Sequence, residues 1–243
     1  MINLLTPSDQ LLKELNEDIE RVNYWVKKKH GDVNSSKWRN KCDGYRLKWY
    51  KERKPFIGEM FEYKSPNGNR WFAYDFIFRP EGADDIMCGM DKFIYWDTYG
   101  SIGCFYPTWW CDKEGVVHDS CIIYTGHFFQ KFCERMKIPF RSREMVMEFV
   151  GEFAYKPLQD DTDKDGNPCC VLRMNHCGFC FGVRRKDNPY VIEVRTFLSE
   201  ENMTPTKLAK YQELAERTKV KAFEDDSRLF SALCSMQKGK LMI

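Results

Sequence analysis

Between Tyr124 and Ile138 the chain reads Y-T-G-H-F-F-Q-K-F-C-E-R-M-K-I. Wound at about 100° per residue, this stretch sets His127, Gln130, Lys131, Glu134 and Arg135 on one arc of a helix. Phe128, Phe129, Phe132, Cys133 and Met136 fill the other arc. A core helix needs the apolar arc, but it has no need of a His, a Lys, a Glu and an Arg in line opposite. An imidazole with its ordinary pKa near neutrality can give or take a proton, and cations one and two turns further on can clamp an anion. A solvated face that happens to carry one histidine is the competing reading.

A second set of residues lies between Lys27 and Lys54. Eleven Lys and Arg face three acids there, Asp32, Asp43 and Glu52, a local excess of eight positive charges. Lys37, Arg39, Lys41, Arg46 and Lys48 are the expected nucleic-acid contacts, with Trp38, Tyr45, Trp49 and Tyr50 interleaved. Such a mixture can hold phosphates while rings stack on bases. Trp38, Cys42, Tyr45 and Trp49 are also spaced four, three and four, which suits the buried stripe of a helix whose wet face is basic.

Two metal patterns are incomplete. Asp161, Asp163, Asp165 and Gly166 match the opening of a calcium loop, but Leu172 stands where its twelfth residue should be a bidentate Glu. His176, Cys177 and Cys180 offer one C-x-x-C with a neighbouring histidine, and Cys169 or Cys170 could approach across a hairpin. No second ligand pair follows, so buried thiols are the better reading, and neither metal nor cofactor is expected.

The elements that must position these groups are legible in outline. Thr6-Pro7 opens a helix to about Lys29, with Leu12, Leu15, Ile19, Val22 and Val26 as a seam for another helix. Trp71 to Phe78 reads as a strand, and Lys92 to Tyr99 with Ile102 to Tyr106 as a hairpin turning at Gly100-Ser101. Pro107 to Val117, holding Trp109 and Trp110, reads as a loop. Ser120 to Thr125 is a strand leading into the histidine helix, and Ser142 to Tyr155 is helical. Strands over Cys169–Met174, Phe179–Arg185 and Tyr190–Leu198 follow, then helices from Thr204-Pro205 and over Phe223–Met236. The expected class is α+β: N-terminal helices, an antiparallel sheet in the middle and a C-terminal helix-plus-antiparallel-sheet unit. Residues 1–118 form a basic N-terminal region and 119–243 the second unit, or the two run together as one domain.

The 243 residues carry 38 Lys and Arg against 36 Asp and Glu, so overall charge decides nothing and its distribution matters. No export signal or membrane-length apolar run is read, and eleven cysteines are expected as reduced thiols in a cytoplasmic protein.

From Tyr124 to Leu198, 75 of the 243 residues, the order strand, helix, helix, antiparallel strands resembles the small ribonuclease domains of the barnase, EndoU, colicin and RelE-type superfamily, in its phage and mobile-element branches. The residues that carry the likeness are His127, Glu134-Arg135 and Arg195-Thr196-Phe197. The resemblance implies a metal-independent endoribonuclease that attacks RNA through its own 2′-hydroxyl. His127 would serve as acid or base, and Lys131, Arg135, Arg195 and Thr196 would surround the phosphate. Strict alternation puts Thr196 with Val194 and away from Arg195, so the two share a site only if the strand twists or bulges. Two rival readings are a non-catalytic nucleic-acid binder using Lys27 to Lys54, and a partner-binding protein of a phage or mobile element that contacts another protein through Trp109 and Trp110. Nucleic acid, RNA foremost, is the expected partner, with a protein partner or inhibitor as the alternative and no membrane.

Overall fold

The computed structural model describes residues 1–30, 35–52, 56–78, 87–98, 101–111, 114, 116–152, 158–162, 165–174 and 178–214. The chain divides into two compact units, Met1–Tyr106 with Ile138–Tyr155, and Pro107–Lys137 with Lys156–Ile243. The class is α+β.

In the first unit, helices α1 (Ser8–His30) and α2 (Ser36–Glu52) precede strands β1 (Phe56–Lys64), β2 (Arg70–Phe78), β3 (Met87–Thr98) and β4 (Ser101–Cys111), paired in chain order. Leu15, Ile19, Val22 and Val26 of α1 are buried as the seam predicts, but at its start Leu11 is buried and Leu12 is only half-buried. The helix also meets the sheet: Trp25 packs on Phe61 and Tyr63 of β1, and Asp18 accepts a hydrogen bond from Trp71 of β2. Trp71, Asp75 and Ile77 alternate on one face of β2. Tyr45 donates to Asp75 and Trp49 packs on Ile77, so α2 shares that face with α1. Helix α4 (Arg143–Glu152) is capped by the Ser142 hydroxyl, which accepts the Met145 N–H at 3.0 Å, and packs on β1.

The opposite face of β2 and β3 is aromatic, with Phe72, Tyr74 and Phe93 in ring contact. Asp91 stands opposite Tyr74 in that band. Burial pushes its carboxyl up to about 6, against the pull of the Lys92 N–H that it accepts at 2.8 Å and of the Lys92 charge. A carboxyl with a raised native pKa binds its proton more tightly when folded. Stability should therefore fall as pH climbs from about 4 to about 6, by about 3 kcal/mol in all. Asp91→Asn removes that slope. Its melting temperature should exceed that of the wild type at pH 7.5 and match it near pH 4; equal melting at both would refute the assignment.

In the second unit, β5 (Val117–Tyr124) runs into α3 (Gly126–Met136). After α4, the strands β6 (Leu158–Thr162), β7 (Pro168–Met174), β8 (Gly178–Arg184) and β9 (Val191–Ser199) form an antiparallel meander, and the order is β5-β9-β8-β7-β6. Residues 205–214 form a further helix, opened by Thr204, whose carbonyl accepts the Leu208 N–H at 2.9 Å.

Several expectations change. β5 and β9 pair in parallel, so this sheet is not purely antiparallel; a strand followed by α3 and the meander returns on the same heading. Nor do the strands fall into a middle sheet and a separate C-terminal set, because β4 runs out of the first unit into the second at Tyr106-Pro107. Pro107–Cys111 is strand where a loop was expected. β1 was not anticipated at all. Its Glu, Met and Gly residues weaken the strand pattern, and it bulges between Ile57 and Met60. The readings for Phe223–Met236 and for the turn at Gly100 lie outside the described residues. No helix among the described residues is long and apolar enough to cross a membrane.

Candidate nucleic-acid interface and the histidine row

Helix α2 sorts its residues sharply. Trp38, Cys42 and Trp49 are buried and Tyr45 is half-buried, so the four-three-four stripe is core. Lys37, Arg39, Arg46, Lys48 and Lys51 are exposed, as are Leu47 and Tyr50. Of the five expected contacts, Lys37, Arg39 and Lys48 stand outward, and Arg46 does so while holding Asp43 at 2.9 Å. Lys41 does not belong with them. Its ammonium pairs with the fully buried carboxylate of Asp75, which also accepts the Tyr45 hydroxyl at 3.0 Å, and reaches Glu59 at 3.4 Å. Burial pulls the Lys41 pKa down, but the hydrogen bond and charge of Asp75 outweigh it, and the ammonium ends above the ordinary lysine value. A side chain at Gly58 would collide with the Tyr45 hydroxyl, so glycine there is what lets Tyr45 reach Asp75. Lys51 was missed although it is exposed; the same four-three spacing, carried one turn further, places it outward.

The histidine row forms on α3. The Thr125 hydroxyl accepts the Phe128 N–H at 3.3 Å and donates to the Val194 carbonyl at 3.1 Å, a carbonyl that also takes the Thr125 N–H. One residue thus caps the helix and ties its start to β9. Phe128 and Phe132 pack on Phe197 of β9. His127 is exposed, and Lys131 is partly buried and bound to Glu134 at 2.6 Å. That hydrogen bond and charge hold the Glu134 carboxyl below its usual range. Arg135, expected on the polar arc, lies seven residues after Phe128 and so falls at the edge of that arc; its Nη1 is buried and has no hydrogen-bond partner among the described residues.

β9 bulges at Arg195. Phe181 pairs with Thr196 and Gly182 with Val194, which leaves Arg195 as the extra residue. A Cβ at Gly182 would press into the Glu193 carbonyl, so the close backbone approach there also needs glycine. Arg195 is exposed and bound to Glu193 at 3.2 Å, and Glu193 also accepts from Arg185 at 2.8 Å. Thr196 opposes Phe181, which packs on Tyr211, whereas the adjacent Phe197 packs on α3. Thr196 therefore faces the side of the sheet opposite α3. No hydrogen bond or ion pair joins His127, Lys131 or Arg135 to Arg195 or Thr196. The structure gathers the α3 row and, separately, the Arg185–Glu193–Arg195 group.

Of the zinc candidates, Cys180 is buried, while His176 and Cys177 lie outside the described residues. Of the calcium pattern, Asp161 binds Lys210 at 3.0 Å, and Asp163 lies outside the described residues. No group of three metal-ligating side chains occurs among the described residues. Trp109 is exposed on β4, in keeping with an outward aromatic, and the side chain of Trp110 lies outside the described set. No family model, curated protein or solved structure matches this chain.

Proposed function

We propose that this chain binds nucleic acid through the outer face of α2. The observation that carries the reading is the division of that helix. Its aromatic stripe is spent on the core, and Lys37, Arg39, Arg46, Lys48 and Lys51 stand outward against only Asp43 and Glu52. Cations held on a rigid helix neutralise phosphates and release counterions, which makes binding strongly salt-dependent. Lys37→Ala, Arg39→Ala and Lys48→Ala together should weaken binding and lower the slope of log K against log salt by about two to three. Fluorescence anisotropy of labelled oligonucleotides measures both, and a slope left unchanged in the triple variant removes α2 from the interface.

A second reading, metal-independent RNA cleavage in the second unit, is favoured by His127 standing exposed one turn before Lys131, with the Arg195 bulge beside the carbonyl that anchors α3. In this reading His127 moves the proton and Lys131 and Arg195 attend the phosphate, while Thr196, facing the side of the sheet opposite α3, and the half-buried Arg135 drop out of the expected set. Single-stranded RNA incubated with chelator should be cut by the wild type. His127→Ala, whose exposed side chain leaves folding intact, should lose cleavage by a factor of about 10² to 10⁴. Cutting at an undiminished rate by that variant rules out the row as a catalytic site.

A further inference from the structure

We infer that the ligand of α2 is duplex DNA, with the helix lying in the major groove; this rests on the binding reading above. The outward ridge of α2 runs Asn40, Asp43, Leu47, Tyr50 and Lys51, opposite the buried Trp38, Cys42 and Trp49. At about 100° per residue, Lys37 and Lys48 fall together on one flank of that ridge and Arg39 and Arg46 on the other. All four are exposed. Four cations therefore border both sides of the ridge, with Lys51 at its C-terminal end, and do not form the single stripe that would track one strand.

A helix with its side chains is about 10–12 Å across, and the major groove of B-DNA is about 12 Å wide, with a phosphate strand on each wall. Two cationic flanks match two strands. The ridge between them then meets base edges, where Asn can pair with adenine, Asp can accept from the cytosine amino group and an apolar Leu47 can touch a thymine methyl. Asp43 would exchange its Arg46 partner for a base, freeing that guanidinium for phosphate.

The aromatic residues argue the same way. A single-strand binder needs exposed rings as stacking platforms. Trp38 and Trp49 are buried and the Tyr45 hydroxyl is bound to Asp75, which leaves Tyr50, 55% exposed, as the outward ring of this helix. Duplex RNA fits poorly, because its major groove is too deep and narrow to admit a helix.

The test uses the full chain and four labelled probes of one mixed sequence of about 20 nucleotides, at about 100 mM salt: duplex DNA, duplex RNA, and the single strand of each. Duplex DNA should bind at least about tenfold tighter than the other three. Methyl green, which occupies the major groove, should compete, and netropsin, which occupies the minor groove, should not. Lys37→Ala with Arg46→Ala, one cation from each flank, should weaken duplex binding at least about tenfold. Equal or tighter binding of either RNA or of a single strand overturns the duplex inference and leaves the binding reading standing. Competition by netropsin alone also overturns it. Failure to bind any of the four probes removes both.

Discussion

Lys41→Ala should lower the stability of the first unit by about 3–5 kcal/mol and leave the salt dependence of nucleic-acid binding where it was. Lys41 belongs to the same basic run as Lys37 and Lys48, yet its ammonium is committed inward. Its partner Asp75 is fully buried, and Asp75 also holds the Tyr45 hydroxyl. Removing the lysine takes away the ammonium that pairs with a fully buried carboxylate. That uncompensated charge, more than the lost attraction, sets the size of the effect. Arg46→Ala is the contrast. Its exposed pair with Asp43 is worth well under 1 kcal/mol, and its loss should lower the salt slope by about one. Urea unfolding and anisotropy on the two variants separate an anchor from a contact. A Lys41→Ala protein of wild-type stability with a reduced slope would show that Lys41 is a phosphate contact after all.

Asp18→Ala should cost about 4 kcal/mol. Asp18 sits fully buried in α1 and accepts from Trp71 Nε1 at 3.0 Å, Asn69 Nδ2 at 2.7 Å and Asn67 Nδ2 at 3.0 Å. Asn69 in turn takes the Ile2 N–H at 2.9 Å and donates to Glu14 at 2.8 Å. One carboxylate thus ties α1 to β2 and to the turn before it. Alanine leaves the buried Trp71 Nε1–H without this acceptor, at about 1–3 kcal/mol, and removes two further charge-assisted hydrogen bonds, from half-buried Asn67 and from Asn69, whose Nδ2 keeps Glu14. Asp18→Asn, which keeps the shape and one good acceptor, should lose about half as much. A shift of the unfolding midpoint worth less than about 1 kcal/mol in Asp18→Ala would mean that water or a rearranged Glu14 replaces the carboxylate.

What the sequence by itself determined was local. The buried stripes of α1, α2 and α3 follow from spacings of three and four, because a helix turns about every 3.6 residues and one arc must leave water. The outward cations of α2 follow from the same arithmetic, as do the helix starts at Ser142 and Thr204, where a hydroxyl lies within reach of a backbone N–H. His127, Lys131 and Glu134 share the outer arc of α3 for the same reason, whereas Arg135, expected on that arc, is half-buried at its edge.

Tertiary structure decided which charges were available and which residues met. Nothing in the run from Lys27 to Lys54 marks Lys41 as different, because its partner Asp75 lies 34 residues away on β2. Asp91 has an ordinary sequence context, and only its burial in the folded sheet raises its carboxyl. The parallel pairing of β5 with β9 joins segments about 70 residues apart, and strand pairing over such separations depends on the closed sheet and not on any local pattern. The same holds at Arg195 and Thr196. Alternation predicts their faces in a straight strand, but the extra residue at the bulge and the register against Phe181 and Gly182 set where each one points.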